Sequence, residues 1–203
     1  HVLFSLRRRN GLGCNSTNAA RTVMCHSWRK SFRFAELVSQ NMNMFKLRRL
    51  EYEDVEWIFD ACQDEAIQRW TMVPRPYSLE DAEWFVENEP EYVTMVIEDA
   101  ESSMPFGLVS IHNIDEITRE APIGYWIAPW GRGMKAASAA VKLLIATITP
   151  DEDIRSVIAY IAEENTASRR TIERAGFVEV ERGWGLAREF MNEVMAIKYR
   201  KTL

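Results

Sequence analysis

The chain has 203 residues, of which 47% are hydrophobic and 27% charged, and its net charge is −5. This composition is typical of one ordinary globular domain, and no apolar run approaches the roughly 18 residues of a membrane-spanning helix, which excludes membrane insertion. The three cysteines and three histidines form no metal-ligand or CxxC pattern. The sequence therefore predicts no disulfide framework and no metal site, and it favours a reducing, cytoplasmic location.

The N-terminal segment, residues 1–41, differs in charge from the rest of the chain. It contains seven Lys and Arg residues against Glu36 alone, a net charge of +6, so the remainder carries −11. A basic, acid-poor leader is typical of a transit peptide or of a nucleic-acid-binding arm. We favour a third interpretation, a simple extension ahead of a start at Met42 or Met44. We therefore expect one folded domain over 42–203 and no nucleic-acid partner, because phosphate binding needs clustered positive charge.

From Met44 onward, segments typical of strands and helices follow one another. The run 44–50 alternates like a strand, and 52–64 has apolar residues at helical spacing. A short second helix follows, and two prolines break it. A third helix is predicted to begin after Ser78 and to end near Asn88.

The second half of the chain has the same mixed character. In chain order, the predicted segments are the strands 92–99, 104–115 and 121–129, the helix after Gly133, the strand 154–165, the helix from Asn165 to Gly176, and two closing strands. The helix after Gly133 is expected to place Met134, Ala137, Val141, Leu144 and Ile148 on its buried face. We predict a mixed α/β (α+β) fold, with antiparallel hairpins first and a strand–helix–strand–helix unit later.

The segment WIAPWGRGMKAA, residues 126–137, indicates an anion-binding site. Gly131 and Gly133 allow a sharp turn and close approach of a ligand to backbone N–H groups, which lack intrahelical partners in the first turn of a helix. Arg132 and Lys135 stand at the positive end of the helix dipole, where a cation is disfavoured by about 0.3–1 kcal/mol, so we infer an anionic ligand. The segment is neither a Walker A loop nor a GxGxxG fingerprint. The alternative is a structural turn whose glycines relieve strain.

A second motif, ENTASRRTIERAGF, stands one strand downstream and contains the pattern NxxSxxxxxxxGF at Asn165, Ser168, Gly176 and Phe177. With KLRRLEYEDVEWIFDACQDEAIQRWT and IGYWIAPWGRGMKAA, this order of motifs resembles the GNAT superfamily of N-acetyltransferases. Within it, the chain is similar to the branch of ribosomal-protein-alanine N-acetyltransferases. The resemblance covers residues 45–203.

The resemblance implies a seven-stranded, mostly antiparallel, splayed sheet flanked by helices, with acetyl-CoA in the wedge between the fourth and fifth strands. Pantetheine is expected on the backbone of residues 126–128 and on Asn165, the pyrophosphate on the amides of residues 131–135, and Arg169 or Arg170 near a phosphate. The implied donor-binding residues are Trp126, Ile127, Ala128, Gly131, Arg132, Gly133, Met134, Lys135, Asn165, Ser168 and Arg170. The chain departs from the family pattern Gln/Arg-x-x-Gly-x-Gly/Ala at Trp130 and at Lys135.

The implied reaction is attack of a neutral amine on a thioester, after which the leaving thiolate needs a proton. The resemblance assigns proton donation to the position of Ser168 or to a nearby tyrosine. The alternative is that Ser168 bonds the carbonyl four residues back.

The sequence does not single out one residue as the general base. The candidates are Glu120 on the fourth strand, and His112 and Asp115 at the end of the third. The family's glutamate position is Val180 here, flanked by two glutamates, and water is a further route for the proton.

Trp70 and Tyr77, in the loop 69–77, and Tyr125 are expected to line the acceptor groove, with packing as the alternative role. We expect the acceptor to be the α-amino group of a polypeptide, because an acidic domain attracts cations and an α-amine loses its proton more readily than lysine. A small-molecule amine is the alternative acceptor. A non-catalytic acyl-CoA sensor and a nucleic-acid module remain as other classes, and the protein is expected to be a monomer or homodimer.

Overall fold

The computed structural model describes residues 44–88, 93–148, 153–186 and 194–203. The basic segment 1–41, its boundary and the first part of the predicted last strand lie outside the described residues. Across the described ranges, no helix is both long enough and apolar enough to span a bilayer.

The described chain forms one seven-stranded sheet with helices on both faces. The strands are β1 Phe45–Arg49, β2 Val93–Asp99, β3 Pro105–Ile111, β4 Glu120–Ile127, β5 Ser156–Ala162, β6 Val178–Trp184 and β7 Met195–Thr202. The helices are α1 Val55–Cys62, α2 Glu65–Trp70, α3 Leu79–Asn88, α4 Ala136–Ala146 and α5 Thr166–Arg174, with 3-10 turns at Tyr52–Asp54 and Pro129–Gly131. The spatial order is β1-β2-β3-β4-β5-β7-β6, and only the β4–β5 pair is parallel. The predicted mixed, mostly antiparallel sheet is confirmed.

Strand β4 separates two hydrophobic cores because its side chains alternate between the sheet faces. Tyr125 and Ile127 pack in the core beneath α4 and α5, whereas Trp126 and Ala128 pack in the core beneath α1, α2 and α3. The Trp126 ring lies 5.6 Å from the ring of Trp57 on α1. The two faces of one strand therefore serve two different helical layers.

Local capping sets the ends of α3 and α5 where the sequence predicts them. The Ser78 N–H donates to Asp81 Oδ2 at 3.0 Å, and the Asp81 N–H donates to Ser78 Oγ at 3.2 Å, which forms a reciprocal capping box. At α5, the Ser168 N–H donates to Asn165 Oδ1 at 3.1 Å. Gly176 ends α5 with a positive φ of 91°.

Helix α4 corrects one sequence expectation. It begins at Ala136, not directly after Gly133, and it ends at Ala146, before the last predicted apolar position. Gly133 and Lys135 have φ values of 82° and 66°, which no α-helix accommodates, so the helix starts only after them. Met134 precedes the helix and is 45% exposed, and its expected place on the buried face is therefore wrong.

The parallel β4–β5 ladder is short. It pairs Glu120–Pro122 with Ser156–Ile158, and we call these residues the closed end of β4. Beyond them β4 stays paired with β3 as far as Ile127, and β5 stays paired with β7 as far as Ala162. The two strands therefore part into a wedge, and we call residues 123–127 the open end of β4.

Candidate active site

A cleft of about 340 Å³ lies at the open end of β4. Its walls come from β4, the following loop, the first turn of α4 and one face of α5. The lining residues are Tyr125, Ile127, Gly131, Arg132, Gly133, Lys135, Ala136, Ala137, Ser138, Ala167, Ser168, Arg170, Thr171 and Arg174. The two motifs that the sequence singled out thus meet in one cavity.

The loop after β4 owes its course to three residues. A Cβ on Gly131 would lie 2.7 Å from Phe106 Cβ, so glycine is needed there for close packing against β3. A Cβ on Gly133 would meet nothing within 4 Å, so glycine is needed there for its positive φ alone. Lys135 adopts φ 66° without being glycine, a conformation that costs roughly 1–3 kcal/mol and is commonly kept where function requires it. The loop delivers the first-turn N–H groups of α4 to the cleft.

Four cationic side chains line the cleft: Arg132, Lys135, Arg170 and Arg174. Among the described residues that line it, none is acidic. The sequence left Arg169 and Arg170 as alternatives. Only Arg170 lines the cleft, because Arg169 Nε donates to Tyr199 Oη at 3.2 Å. Sequence reasoning missed Arg174, although its spacing of four from Arg170 places both on one face of α5.

Arg132 has a partner that the sequence does not reveal. Its Nη2 and Nη1 atoms donate to Asp64 Oδ1 and Oδ2 at 2.5 and 3.2 Å. Burial alone would raise the pKa of Asp64, but the bonds from Arg132 and from the backbone of Ile67 outweigh it and lower the pKa. Asp64 therefore supplies an anionic partner for Arg132 from within the chain, although the Arg132 side chain still lines the cleft.

Ser168 and Tyr125 form a buried polar pair at the base of the cleft. Their hydroxyl oxygens are 2.8 Å apart, Tyr125 Oη also lies 3.1 Å from the Ser168 carbonyl oxygen, and each residue is 2% exposed. Burial raises the pKa of Tyr125 by more than the bond with Ser168 lowers it, so its hydroxyl stays protonated. Tyr125, expected in the acceptor groove, lies on the wall next to Ser168.

Asn165 presents an unused donor beside α5. Its Oδ1 caps the helix, and the residue is 4% exposed. In the described structure its Nδ2 has no hydrogen-bond partner. An unsatisfied buried donor costs about 1–3 kcal/mol, which favours a ligand that accepts from it.

The backbone of β4 corrects two of the three expected pantetheine contacts. Ala128 N–H donates to Phe106 O at 2.8 Å and Ala128 O accepts from Gly131 N–H at 2.9 Å. In an antiparallel ladder such bonds alternate, so the peptide groups of Trp126 and the N–H of Ala128 point to β3, while the Ala128 carbonyl is used by the following turn. The peptide groups of Ile127 point to the wedge. Of the three residues, only Ile127 offers its backbone to a ligand there.

Glu120 lies at the closed end of β4, away from the cleft. It is seven residues from Ile127, roughly 23 Å along a strand. Lys198 Nζ and Arg200 Nε donate to its carboxylate at 2.7 and 2.9 Å. Burial favours a higher pKa for Glu120, yet these two cations outweigh it and lower the pKa. A stabilised carboxylate at that distance is unsuited to take the acceptor's proton.

The other two candidate bases also lie near the closed end. His112 is 8% exposed, and its backbone N–H donates to the Pro122 carbonyl oxygen at 2.8 Å. It therefore lies next to the closed end of β4 and not next to Ile127. Asp115 accepts backbone bonds from Thr118 and Ile117, which lower its pKa. The structure therefore brings none of the three candidate bases into the cleft lining.

The two remaining groove candidates lie outside the cleft lining. Tyr77 is 4% exposed and packs in the core beneath α1, α2 and α3. Trp70 is the last residue of α2 and is half-buried, with the Arg69 guanidinium 4.5 Å from its ring centroid. Within the described ranges, no group of three or more His, Cys, Asp or Glu side chains could hold a metal ion.

Comparisons with known proteins agree with this geometry. The family model described as "Acetyltransferase (GNAT) domain" matches residues 45–178. The Bacillus subtilis (strain 168) protein named "Putative ribosomal N-acetyltransferase YdaF" is 38% identical over 73 residues, which are 36% of this chain and 40% of that protein. The chain thus matches less than half the length of this curated relative.

Two solved structures share the fold at low identity. The Vibrio cholerae spermidine N-acetyltransferase in complex with CoA and spermine has a TM-score of 0.65 at 23% identity, over 78% of this chain and 95% of that one. The ribosomal-protein-S5-alanine acetyltransferase from Vibrio fischeri has a TM-score of 0.64 at 16% identity, over 81% and 96%. With the family match covering most of the described sheet and the cleft, the chain belongs to the GNAT acetyltransferase family.

Proposed function

We propose that the protein transfers the acetyl group of acetyl-CoA to an amine, and that its acceptor is the free N-terminus of a polypeptide. The observation that carries this proposal is the cleft at the open end of β4. There, four cations and the N-terminus of α4 surround a volume that no acidic residue lines within the described part of the chain. Such a site suits the phosphates of CoA.

The chemistry of the lining residues indicates where each part of acetyl-CoA would bind in the cleft. Lys135, Arg170 and Arg174 bind the phosphates, together with the first-turn amides of α4. The outward peptide groups of Ile127 and the unpaired Nδ2 of Asn165 bond the pantetheine amides. Among the described residues the Asn165 Nδ2 has no other partner, which supports this assignment.

Ser168 is assigned as the proton donor to sulfur. The amine nitrogen attacks the thioester carbonyl, the C–S bond breaks, and the Ser168 hydroxyl gives its proton to the leaving sulfur and regains one from water. Tyr125 keeps its proton, and its hydroxyl oxygen lies 2.8 Å from Ser168 Oγ, where either hydroxyl can donate, so the pair holds Ser168 at the wall of the cleft. The proton lost by the amine leaves through water.

The lack of a base among the lining residues favours an acceptor of low pKa. The described lining contains no carboxylate and no imidazole, so the amine has to arrive neutral. Near pH 7, about 15% of an α-amine with pKa of about 7.8 is neutral, against about 0.04% of a lysine with pKa of about 10.4. An N-terminus therefore suits this site better than a lysine side chain.

A polyamine is the second candidate acceptor. Residues 42–203 carry a net charge of −11, which raises the local concentration of polycations. Because the fold is also similar to that of a spermidine N-acetyltransferase, polyamines are included among the acceptors to be compared.

The test compares acceptors at fixed acetyl-CoA while free thiol is measured. We expect the highest kcat/KM with short peptides that have a free N-terminus, and a large loss when that terminus is blocked. Spermidine or blocked lysine peptides reacting faster would transfer the acceptor assignment to those amines. Absence of thiol release with every amine, despite CoA binding, would favour a non-catalytic acyl-CoA sensor.

A further inference from the structure

Helix α2 is joined to the cleft by a charge pair that links distant parts of the chain. Asp64 is the N-cap of α2 and accepts from the Ile67 N–H at 2.9 Å. The same carboxylate holds Arg132, which is 68 residues away in sequence and lines the cleft. One side chain therefore fixes both a helix end and a cationic wall of the site.

The geometry of this pair leaves Arg132 able to bind a second anion. A guanidinium has five N–H donors, and Asp64 engages two nitrogen atoms in a bidentate arrangement. The Arg132 side chain remains 37% exposed while paired, and it faces the cleft in that state. An arginine free of Asp64 would have to lose considerable rotamer freedom on binding a phosphate.

We propose that Asp64 is a positioning residue for the acyl donor. It holds the Arg132 guanidinium at the cleft, so that the guanidinium is already oriented when a donor phosphate binds. This inference rests on the proposed function and extends it to a residue outside the cleft lining. Asp64 is not among the described residues that line the cleft. It acts through Arg132, and its carboxylate is itself fixed by the α2 backbone.

The substitution Asp64→Asn separates the two roles of Asp64. Asn caps helices about as well as Asp, so Asp64→Asn keeps the bond from Ile67 N–H while it removes the ion pair. Without the ion pair, the Arg132 side chain has to be ordered when the donor binds, and this entropic cost weakens binding. We therefore expect the KM for acetyl-CoA to rise about three- to ten-fold, with kcat unchanged. Asp64→Glu, which keeps the charge, should recover part of the loss.

Three controls make the result specific. Asp81→Asn is the matched control, because Asp81 also accepts a backbone N–H at a helix start and lies outside the cleft lining. It should leave the KM unchanged. With acetylpantetheine, a donor without phosphates, Asp64→Asn should behave like the wild type. Arg132→Gln should raise the KM, and adding Asp64→Asn to it should raise the KM no further.

Several outcomes would overturn the inference. An unchanged KM in Asp64→Asn, or effects that add fully to those of Arg132→Gln, would show that Asp64 does not act through Arg132. A lower KM would show that Asp64 competes with the donor for the guanidinium. A wild-type protein that binds no CoA is a different result, since it would refute the proposed function itself.

Discussion

The two ends of strand β4 hold polar groups in opposite conditions. At the closed end, the Glu120 carboxylate is satisfied by two cations, Lys198 and Arg200. Beside the open end, Asn165 has a donor without a partner among the described residues, and Lys135 keeps a strained backbone conformation. Completed charge pairs stabilise a fold, whereas unmet donors and strain are commonly found where a ligand binds.

This contrast explains why a carboxylate on a central strand is not evidence of a base. Glutamate is a residue type that often acts as a base, yet Lys198 and Arg200 lower the pKa of Glu120. Ser168 looks structural by residue type, yet it lies with Tyr125 in the wall of the cleft. Substitutions at Ser168 and at Glu120 test this division between a structural end and a reactive end.

The largest expected effect is at the open end. Ser168→Ala should lower kcat by about 100-fold, the usual size for the loss of a positioned proton donor, while the Kd for CoA changes little. The α5 cap is unaffected, because Asn165 bonds the backbone N–H of residue 168. Steady-state rates combined with calorimetric CoA titration check this. An unaltered kcat would make Ser168 a structural residue.

The smaller effect is at the closed end. Glu120→Gln should leave kcat unchanged and lower the free energy of unfolding by about 1 kcal/mol, because two part-buried cations lose their carboxylate. Since folding lowers the pKa of Glu120, its contribution is complete above the unfolded pKa of about 4.3 and disappears as the pH falls through the folded value.

Denaturant titrations of the wild type and Glu120→Gln at several pH values measure that contribution. The two proteins should differ at pH 7, and the difference should shrink as the pH falls below the unfolded pKa of Glu120, about 4.3, and through its lower folded pKa. A kcat that falls strongly in Glu120→Gln would return this residue to the catalytic candidates.

The sequence is sufficient where structure is local. Ser78 with Asp81, and Asn165 with Gly176, predict helix ends correctly because capping depends on neighbours within three or four residues and on one residue of positive φ. The glycine turn at 131–133 is recognisable for the same reason.

The sequence is insufficient where contacts are distant or depend on register. The Asp64–Arg132 pair joins residues 68 positions apart, and no local spacing indicates it. The backbone N–H of Ala128 faces β3 because of the pairing register, which the sequence does not specify. Tyr77, placed by its prolines in a surface loop, is instead buried by three helices packing over one face of the sheet.

Calorimetric titration of CoA into the wild type and into Arg170→Glu tests the central claim, that the open end of β4 binds the donor phosphates. We predict one CoA per chain for the wild type and a Kd at least about ten-fold weaker for Arg170→Glu, since a charge-assisted phosphate contact becomes a repulsion. Lys142→Glu, an equal charge reversal at an exposed position of α4 outside the cleft lining, should keep the wild-type Kd. Equal affinities for all three proteins, or no binding to the wild type, would contradict the claim.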